Sequence, residues 1–396
     1  MSLVSQIFPQ VVKWRRHLHR NPELSGQETE TAAFISRVLA DHGIAHETGI
    51  GGHGVVARIG VGAPGPELAF RADCDALPLE DRKSCDYVST RPGVMHACGH
   101  DGNTAVLLGL AVLLEQEKAN LPGPVRFIFQ PAEENGQGAL AMLAAGVFDP
   151  PPAAIFGFHF HPGLKTGEIA LHRHPFMAAT EYLEIEVRGR GAHACAPHEA
   201  VDAIAVASNL VVAINQLLTK GTDPVDPALV SIGTITGGTV SNIIADRVLM
   251  TGTIRTLSEA QHRRLHEGLA RLVRELPRAF GAEAEMKIGE VAPALVNDPR
   301  LVAFMGECLK NHFPDLMVRE NDPPMLGGED FARFARLVPG CYLFVGCGNP
   351  GKGLVHPLHS SHFDLDEAAM ANILELLFTV AREGDRVAEQ LSASPR

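Results

Sequence analysis

The chain has 396 residues, more than one ordinary globular core accommodates, so two domains are expected. Its formal net charge of −12 argues against nucleic acid and anionic membranes as main partners, because Lys and Arg drive binding to both. Seven cysteines, an odd number with no Cys-x-x-Cys pair, argue against a disulfide framework. These features indicate a globular protein that binds small molecules in a reducing compartment.

The start of the chain carries its basic residues after its apolar ones and has no small-residue cleavage site, the reverse of a secretory signal. No apolar run approaches the ~20 residues that span a bilayer. We therefore expect a cytoplasmic protein without membrane contact. Beyond about Ala388 the sequence predicts a disordered tail.

The first half of the chain alternates between helical and strand patterns. Residues 28–43 place apolar side chains on one helical face and end at Gly43. The elements predicted after this helix are strands at 54–59 and 67–71, a helix at about 103–117, a strand at 125–129, a helix at 138–146 and a strand at 153–158. Such alternation predicts a mostly parallel sheet covered by helices.

From Thr180 the pattern changes, because Leu183, Ile185 and Val187 alternate with charged residues, as in a sheet with one solvated face. The elements predicted next are a helix at about 199–219, strands at 229–235 and 248–254, a helix at about 259–279 opened by a capping box at Ser258 and Gln261, and a strand at about 282–289. The order β-α-β-β-α-β is ferredoxin-like.

After Pro293 the helix and strand pattern returns, with an apolar strand at 341–346 and a final helix capped near Asp364. We therefore predict an α/β domain in two parts, residues 1–178 and 291–396. The α+β ferredoxin-like domain, residues 179–290, is an insertion into it.

One chemical motif precedes the helix predicted at 103–117. Cys98, His100 and Asp101 offer a thiolate, an imidazole and a carboxylate that can point at one spot. This segment is either a metal cradle or a buried thiol beside a helix-capping Asp101. The tripeptide alone does not decide between these two interpretations.

Further candidate ligands follow other predicted strands. Glu133 and Glu134 come after the strand at 125–129, where one carboxylate can bind a metal while the other moves a proton, although a solvated acidic turn is the alternative. His159 and His161 end the next strand, and the late loop carries His359 and His362. Because the carboxyl ends of parallel strands meet at one sheet edge, these side chains together predict a metal site.

Two other interpretations compete with metal binding. Gly49 to Gly54 match G-x-G-x-x-G, but the segment precedes a strand instead of joining a strand to a helix, so dinucleotide binding is weakly supported. Cys98 with His100 could instead form a thiol nucleophile pair, since a thiolate beside an imidazole is the usual arrangement.

At these residues the sequence resembles the metal-dependent amidohydrolases that include hippurate hydrolases, N-acyl-amino-acid deacylases and auxin-conjugate hydrolases, within the aminoacylase and carboxypeptidase superfamily. The likeness runs from about Trp14 to Glu367 and rests on the segments 15–19, 22–25, 71–78, 96–102, 130–134, 191–194, 237–242, 252–255, 328–331 and 358–360.

The resemblance implies two divalent metal ions per subunit, Mn²⁺, Zn²⁺, Co²⁺ or Ni²⁺, bridged by one thiolate. The implied ligands are Cys98 at the bridge, Glu134 and His359 for one ion, and His100 and His159 for the other. His161 and His362 are interpreted as structural or supporting histidines near the ligands. Glu133 is then the catalytic general base and Asp73 a carboxylate that orients a metal ligand.

The resemblance also assigns the inserted domain as a lid that forms a homodimer contact. His193 is implied to be catalytic, stabilising the oxyanion and acting on the active site of the partner subunit; a surface loop histidine is the alternative. Asn242, Arg255 and Gly328 are implied to bind substrate.

The activity implied is hydrolysis of the amide bond of small-molecule N-acyl amino acids, of the hippurate or N-acetyl type, or of related small amides. A thiol hydrolase and a non-catalytic binding relative are the alternatives. Asn103 and Gly327 depart from the residues expected in this family, and both are expected to alter the pocket rather than the ligand set.

Overall fold

The computed structural model describes residues 2–172, 175–320 and 322–392. It divides into two compact units. The first, here called the α/β unit, comprises residues 1–174, 296–323 and 330–396. The second, here called the inserted unit, comprises residues 175–295 and 324–329. The short segment 324–329 therefore groups with the inserted unit, whereas the sequence placed it in the α/β domain.

Both units contain helices and strands, which are numbered here in chain order. The helices are α1 (Leu3–Arg20), α2 (Thr29–Asp41), α3 (His100–Gln116), α4 (Gly138–Ala144), α5 (Ala203–Gly221), α6 (Glu259–Ala279), α7 (Pro299–His312), α8 (Phe331–Ala335), α9 (Ala368–Arg382) and α10 (Gly384–Ser392). The strands are β1 (His46–Ile50), β2 (Gly54–Ile59), β3 (Leu68–Asp73), β4 (Val125–Gln130), β5 (Ala154–Lys165), β6 (Glu168–Ala170), β7 (Pro175–Met177), β8 (Ala179–Arg188), β9 (Ala228–Gly237), β10 (Arg247–Thr256), β11 (Glu283–Ala292), β12 (Leu295–Val296), β13 (Met317–Arg319) and β14 (Gly340–Gly348).

The α/β unit is built on a sheet whose described strands lie in the order β1-β2-β4-β3-β5-β14-β6-β13. The four central strands, β4, β3, β5 and β14, are parallel neighbours, whereas β1, β2 and β6 make antiparallel pairs. This confirms the predicted mostly parallel sheet. Strand β14 lies beside β5 although the whole inserted unit separates them in sequence.

Helix α3 forms the centre of the α/β core. Every residue from His100 to Leu114 is buried, because the helix is apolar on all sides and packs against both β3 and the helices α1 and α9. Gly99 precedes it with a φ of 91°, a left-handed conformation that glycine adopts without steric cost. The chain therefore turns sharply between Cys98 and His100.

A buried ion-pair network fixes α1 against the start of α3. Nε of Arg15 donates to Oδ2 of Asp101 at 2.7 Å, and Nη2 of Arg15 donates to Oδ1 of Asp364 at 2.5 Å. Nδ1 of His19 contacts the same Asp101 oxygen at 2.7 Å. Removing Arg15 would take the guanidinium away from two buried carboxylates, and breaking a buried pair of this kind costs about 3–5 kcal/mol.

The inserted unit is a four-stranded antiparallel sheet in the order β11-β8-β10-β9, with α5 and α6 packed on one face. Its elements follow the predicted β-α-β-β-α-β order, and the ferredoxin-like class is confirmed. Thr180 at the start of β8 pairs with Ala292 at the end of β11, so the two ends of the insertion lie side by side.

Helix α5 is long and apolar enough, by length and composition, to cross a bilayer, contrary to the expectation from the sequence. One such helix is a weak indication, because core helices of globular units pass the same test. Here Val206, Leu210 and Ile214 are buried in the core of the inserted unit.

Two segments differ from the sequence-based expectation. Helix α1 was not predicted; Pro9 lies within it, and the helix continues through that residue. The tail beyond Ala388 was predicted to be disordered, but α10 continues to Ser392, with Val387 buried. The last four residues lie outside the described residues.

Candidate metal centre and hydrolase site

Five candidate ligands meet at the carboxyl edge of the central parallel strands. Cys98 and His100 lie at the start of α3, and Glu134 follows β4. His159 lies within β5, and His359 lies in the loop that follows β14. These residues, Cys98, His100, Glu134, His159 and His359, are here called the Cys98 cluster.

The Cys98 cluster consists of two triads that share the thiol. Cys98, His100 and His159 form one, and Cys98, Glu134 and His359 form the other, with ligand atoms within 4.8 Å of one another in each. Sγ of Cys98 lies 3.4 Å from Nε2 of His159 and 3.3 Å from Nε2 of His359. The same pairing of ligands was predicted for two ions bridged by Cys98.

The two buried imidazoles are oriented through their other ring nitrogen. Nδ1 of His100 lies 3.1 Å from Oδ1 of Asp75, and Nδ1 of His159 lies 2.7 Å from the carbonyl oxygen of Phe160. Metal-binding histidines are usually held in this way, because the oxygen fixes the tautomer that presents Nε2 to the metal.

Asp75 joins the two triads. Its Oδ1 contacts His100, while its Oδ2 accepts a hydrogen bond from the backbone N–H of Glu134 at 3.0 Å and from Ser25 at 2.7 Å. Asp75 lies in a motif quoted for the family resemblance, but no role was predicted for it.

The residues present fit a pair of divalent ions. Nε2 of His100 and Oε1 of Glu134 are buried and lack a regular hydrogen-bond partner within residues 2–172, 175–320 and 322–392. Leaving such atoms unpaired is costly unless a bound group satisfies them. Thiolate, imidazole and carboxylate together are a donor set that suits Zn²⁺ and neighbouring transition metals.

Electrostatics at the Cys98 cluster act on the thiol and on the ring of His100. Burial raises the pKa of Cys98, and Glu134 raises it further. Burial alone would lower the pKa of His100, but Asp73 and Cys98 raise it well above its ordinary value.

Asp73 belongs to a buried polar network behind His100. Oδ2 of Asp73 lies 3.8 Å from Nε2 of His100 and accepts from Nη1 of Arg71 at 2.8 Å, while Nδ2 of Asn103 donates to Oδ1 at 2.7 Å. Burial raises the pKa of Asp73, but His100 and Arg71 lower it to about 2. Asn103, which was expected to alter the pocket, is fully buried and holds Asp73 through this hydrogen bond.

Glu133 lies in a loop held by backbone contacts. A carboxylate oxygen of Glu133 lies within 4.8 Å of ligand atoms of His100 and Glu134. The preceding Ala132 has a left-handed φ of 53°, and its N–H donates to Oε1 of the fully buried Glu28 at 2.8 Å. Strained residues of this kind cluster at functional sites, and the surrounding contacts maintain them.

Three other predicted residues lie apart from the triads. Asp101, placed in the metal cradle by the sequence, binds Arg15 and His19 instead, because its side chain lies on the α1 side of α3. The ring of His161 packs 4.9 Å from that of Phe344, and burial lowers its pKa. His362 packs against His356, with ring centroids 5.2 Å apart.

The glycine-rich segment 49–54 is the turn of a β-hairpin. It joins β1 to the antiparallel β2. A dinucleotide-binding loop joins a strand to a helix, so this segment is not one.

The inserted unit brings two of its candidate residues together. His193 pairs with Ile243 in an isolated bridge, and the N–H of Ala194 donates to the carbonyl oxygen of Asn242 at 3.0 Å. The N–H of Cys195 donates to Nδ1 of His193 at 3.1 Å. In the neutral imidazole this leaves the proton on Nε2, which is then a hydrogen-bond donor.

A second pair of candidates adjoins Thr180. Nη1 of Arg255 donates to Oγ1 of Thr180 at 2.5 Å, and burial lowers the pKa of Arg255. A Cβ added to Gly328 would lie 2.5 Å from the same Oγ1, so the absence of a side chain there permits close packing.

Comparison with known proteins decides the family. Residues 69–383 match the sequence profile of peptidase family M20/M25/M40. This chain belongs to that family. The resemblance drawn from the motifs is therefore confirmed.

Relatives within the family support hydrolysis. This M20 protein is 36% identical over 385 residues to an N-acetyl-L-cysteine deacetylase of Bacillus subtilis, covering 96% of this chain and 89% of that protein. It is 40% identical over 368 residues to thermostable carboxypeptidase 2 of Saccharolobus solfataricus, covering 92% of each. A crystal structure of a dinuclear metal-binding M20 peptidase from Bacillus subtilis matches with a TM-score of 0.84 at 33% identity, covering 96% of this chain and 98% of that one. The M20 chain is thus a metal-dependent hydrolase.

Proposed function

We propose that this M20 hydrolase cleaves the amide bond of N-acyl amino acids, of the hippurate or N-acetyl type, or of related small amides, using two divalent metal ions at the Cys98 cluster. The observation that carries the proposal is the pair of triads sharing Cys98, with Glu133 beside them. The named relatives, a deacetylase and a carboxypeptidase, support an amide substrate.

The five residues of the Cys98 cluster would hold the two ions, whose chemistry when bound is to acidify a water and polarise the scissile carbonyl. We assign Glu133 as the general base. Its carboxylate takes a proton from the attacking water and returns it to the nitrogen of the leaving amine. Glu134 is a ligand in one triad, so the adjacent carboxylates have different tasks.

The buried residues around the Cys98 cluster position its ligands. Asp75 holds the ring of His100 and the backbone of Glu134 at once, so both triads keep one relative geometry. Asp73 accepts from Arg71 and places a carboxylate 3.8 Å from Nε2 of His100, and a carboxylate in that position favours a cation nearby.

We assign the inserted unit a role as lid and homodimer contact. His193 Nε2 is available to donate to the oxyanion, and Asn242, Arg255 and Gly328 are assigned to bind substrate. Support for the dimer comes from β9, an edge strand with exposed Leu229 and Ile235, since an unpaired edge can join that of a second copy.

A cytoplasmic location and a small-molecule substrate complete the proposal. All seven cysteines lie in the described residues and none forms a disulfide, as suits a reducing compartment. The donor set supports a divalent transition metal, and Mn²⁺, Zn²⁺, Co²⁺ and Ni²⁺ are the candidates.

Chelation tests the proposal against the thiol hydrolase. Dialysis against EDTA should abolish hydrolysis of N-acetyl and N-benzoyl amino acids, and one or more of the four ions should restore it. Full activity in protein shown by mass spectrometry to be free of metal would contradict the proposal.

A further inference from the structure

A second group of metal-ligating side chains lies in the inserted unit and includes no residue assigned a role above. Glu181 on β8 and His262 and His266 on α6 place three ligand atoms within 4.8 Å of one another. Nε2 of His262 lies 3.1 Å from Oε1 of Glu181, and Nε2 of His266 lies 2.7 Å from Oε2. These three residues are here called the Glu181 cluster.

Glu181 is in an unusual environment for a carboxylate. Successive side chains of a strand alternate between faces, so Glu181 shares the face of Leu183 and Ile185, which are fully buried in the core of the inserted unit. The side chain of Glu181 is only 6% exposed. A buried carboxylate on an apolar face requires compensation by hydrogen bonds or by a cation.

The two imidazoles approach Glu181 from adjacent turns of one helix. His262 and His266 are four residues apart, the spacing that puts side chains on one helical face, and their ring centroids are 4.1 Å apart. Each presents Nε2 to a different oxygen of Glu181. Two imidazoles at this spacing with one carboxylate are a common donor set for zinc.

The distances between the ligand atoms of the Glu181 cluster also suit a bound ion. Tetrahedral zinc with bonds of about 2.0–2.2 Å has its ligand atoms about 3.4 Å apart, so the nitrogen to oxygen distances need to open by well under 1 Å. Both imidazoles are 29% exposed, which leaves a route from solvent.

We propose that the Glu181 cluster is a third metal site of this chain, which binds Zn²⁺ through two imidazole nitrogens and one carboxylate, with a water in the remaining position. By crosslinking α6 to β8 it stabilises the fold of the inserted unit. The proposal does not rest on the proposed function, because it involves no residue of the Cys98 cluster.

Metal counting on the full-length protein tests this site. The protein is stripped with a chelator, reconstituted with Zn²⁺ alone, desalted and analysed by mass spectrometry. Wild type should retain one more Zn²⁺ per chain than His262→Ala/His266→Ala. Arg263→Ala/Glu267→Ala, at the same spacing on the exposed side of the same helix, is the matched control and should keep the full count. Equal counts in wild type and the double histidine variant would overturn the proposal.

A second variant separates loss of the metal from loss of the fold. His266→Gln keeps an N–H that can donate to Glu181 but supplies no imidazole. It should lose the same Zn²⁺ with an unchanged circular dichroism spectrum. A variant that folds and retains the wild-type count would show that the cluster is only a hydrogen-bonded pair of imidazoles on a carboxylate.

Cobalt substitution separates this site from the catalytic one. The Cys98 cluster contains a thiolate, which gives a ligand-to-metal charge-transfer band with Co²⁺, whereas the Glu181 cluster contains no sulfur. The double histidine variant should lose Co²⁺ while the thiolate band stays. An absent thiolate band in wild type would contradict the proposed two-metal centre and leave the lid result intact.

Discussion

The two histidine clusters differ in what holds the imidazole rings. In the α/β unit, Nδ1 of His100 contacts Asp75 and Nδ1 of His159 contacts the carbonyl oxygen of Phe160. These contacts orient Nε2 of each ring toward the other ligands without a bound metal. In the inserted unit, Nε2 of His262 and of His266 contacts the carboxylate directly. A site assembled from four parallel strands is preorganised by its surroundings, whereas one on a single helix depends on its own ligands.

The largest expected effect lies in the α/β unit. Glu133→Gln should lower kcat by about 10²- to 10⁴-fold, because it removes the proton acceptor and no ligand. Metal content measured beside the rate should equal that of wild type in both clusters. Wild-type turnover by this variant would refute the assignment of Glu133.

A smaller effect on rate is expected from the inserted unit. His193→Ala should lower kcat by about 10²-fold, as loss of one oxyanion donor does, without changing metal content. His198→Ala, another exposed histidine of the same loop, is the control and should be neutral. Mixing His193→Ala with Glu133→Gln should restore activity if His193 acts across a dimer; no restoration would place its action within one chain.

The smallest expected effect is on metal affinity and sharpens the contrast between the clusters. Asp75→Asn should weaken metal binding at the Cys98 cluster by about 10- to 100-fold, because it disturbs His100 and Glu134 together. Ser25→Ala, which removes only a hydroxyl from Asp75, should do less. The Zn²⁺ count at the Glu181 cluster should not change, and a loss there would contradict the independence of the two sites.

Sequence reasoning was strongest where the pattern is local. The strand predicted at 54–59 matches β2 to the residue, because an apolar run bounded by glycine is a short-range signal. Helix α1 was not predicted; Pro9 lies within it, and burial of Val11, Trp14 and Leu18 stabilises the helix around this residue.

The candidate site also contains residues that local motifs identified and residues whose roles depend on tertiary contacts. Cys98, Glu134 and His159 were identified from motifs that follow strands, and the structure brings them together. The roles of Asp75 and Asn103 depend on tertiary hydrogen bonds that no spacing reveals.

The Glu181 cluster shows that the spacing of residues along the sequence does not by itself predict a metal site. The four-residue interval between His262 and His266 was visible in the sequence, but it recurs by chance in helices. The third ligand, Glu181, lies 81 residues before His262, and only the packing of α6 on β8 brings them together.

The separation of β5 from β14 has a consequence for how the molecule forms. The four-stranded sheet of the inserted unit is complete once the chain has reached Ala292, whereas β5 can pair early with β3 but must wait for residues 340–348 to gain β14 as its second neighbour. During synthesis the sheet of the inserted unit can therefore form first, while one edge of β5 remains unpaired. His359 arrives later still, so the Cys98 cluster is among the last parts of the molecule to assemble.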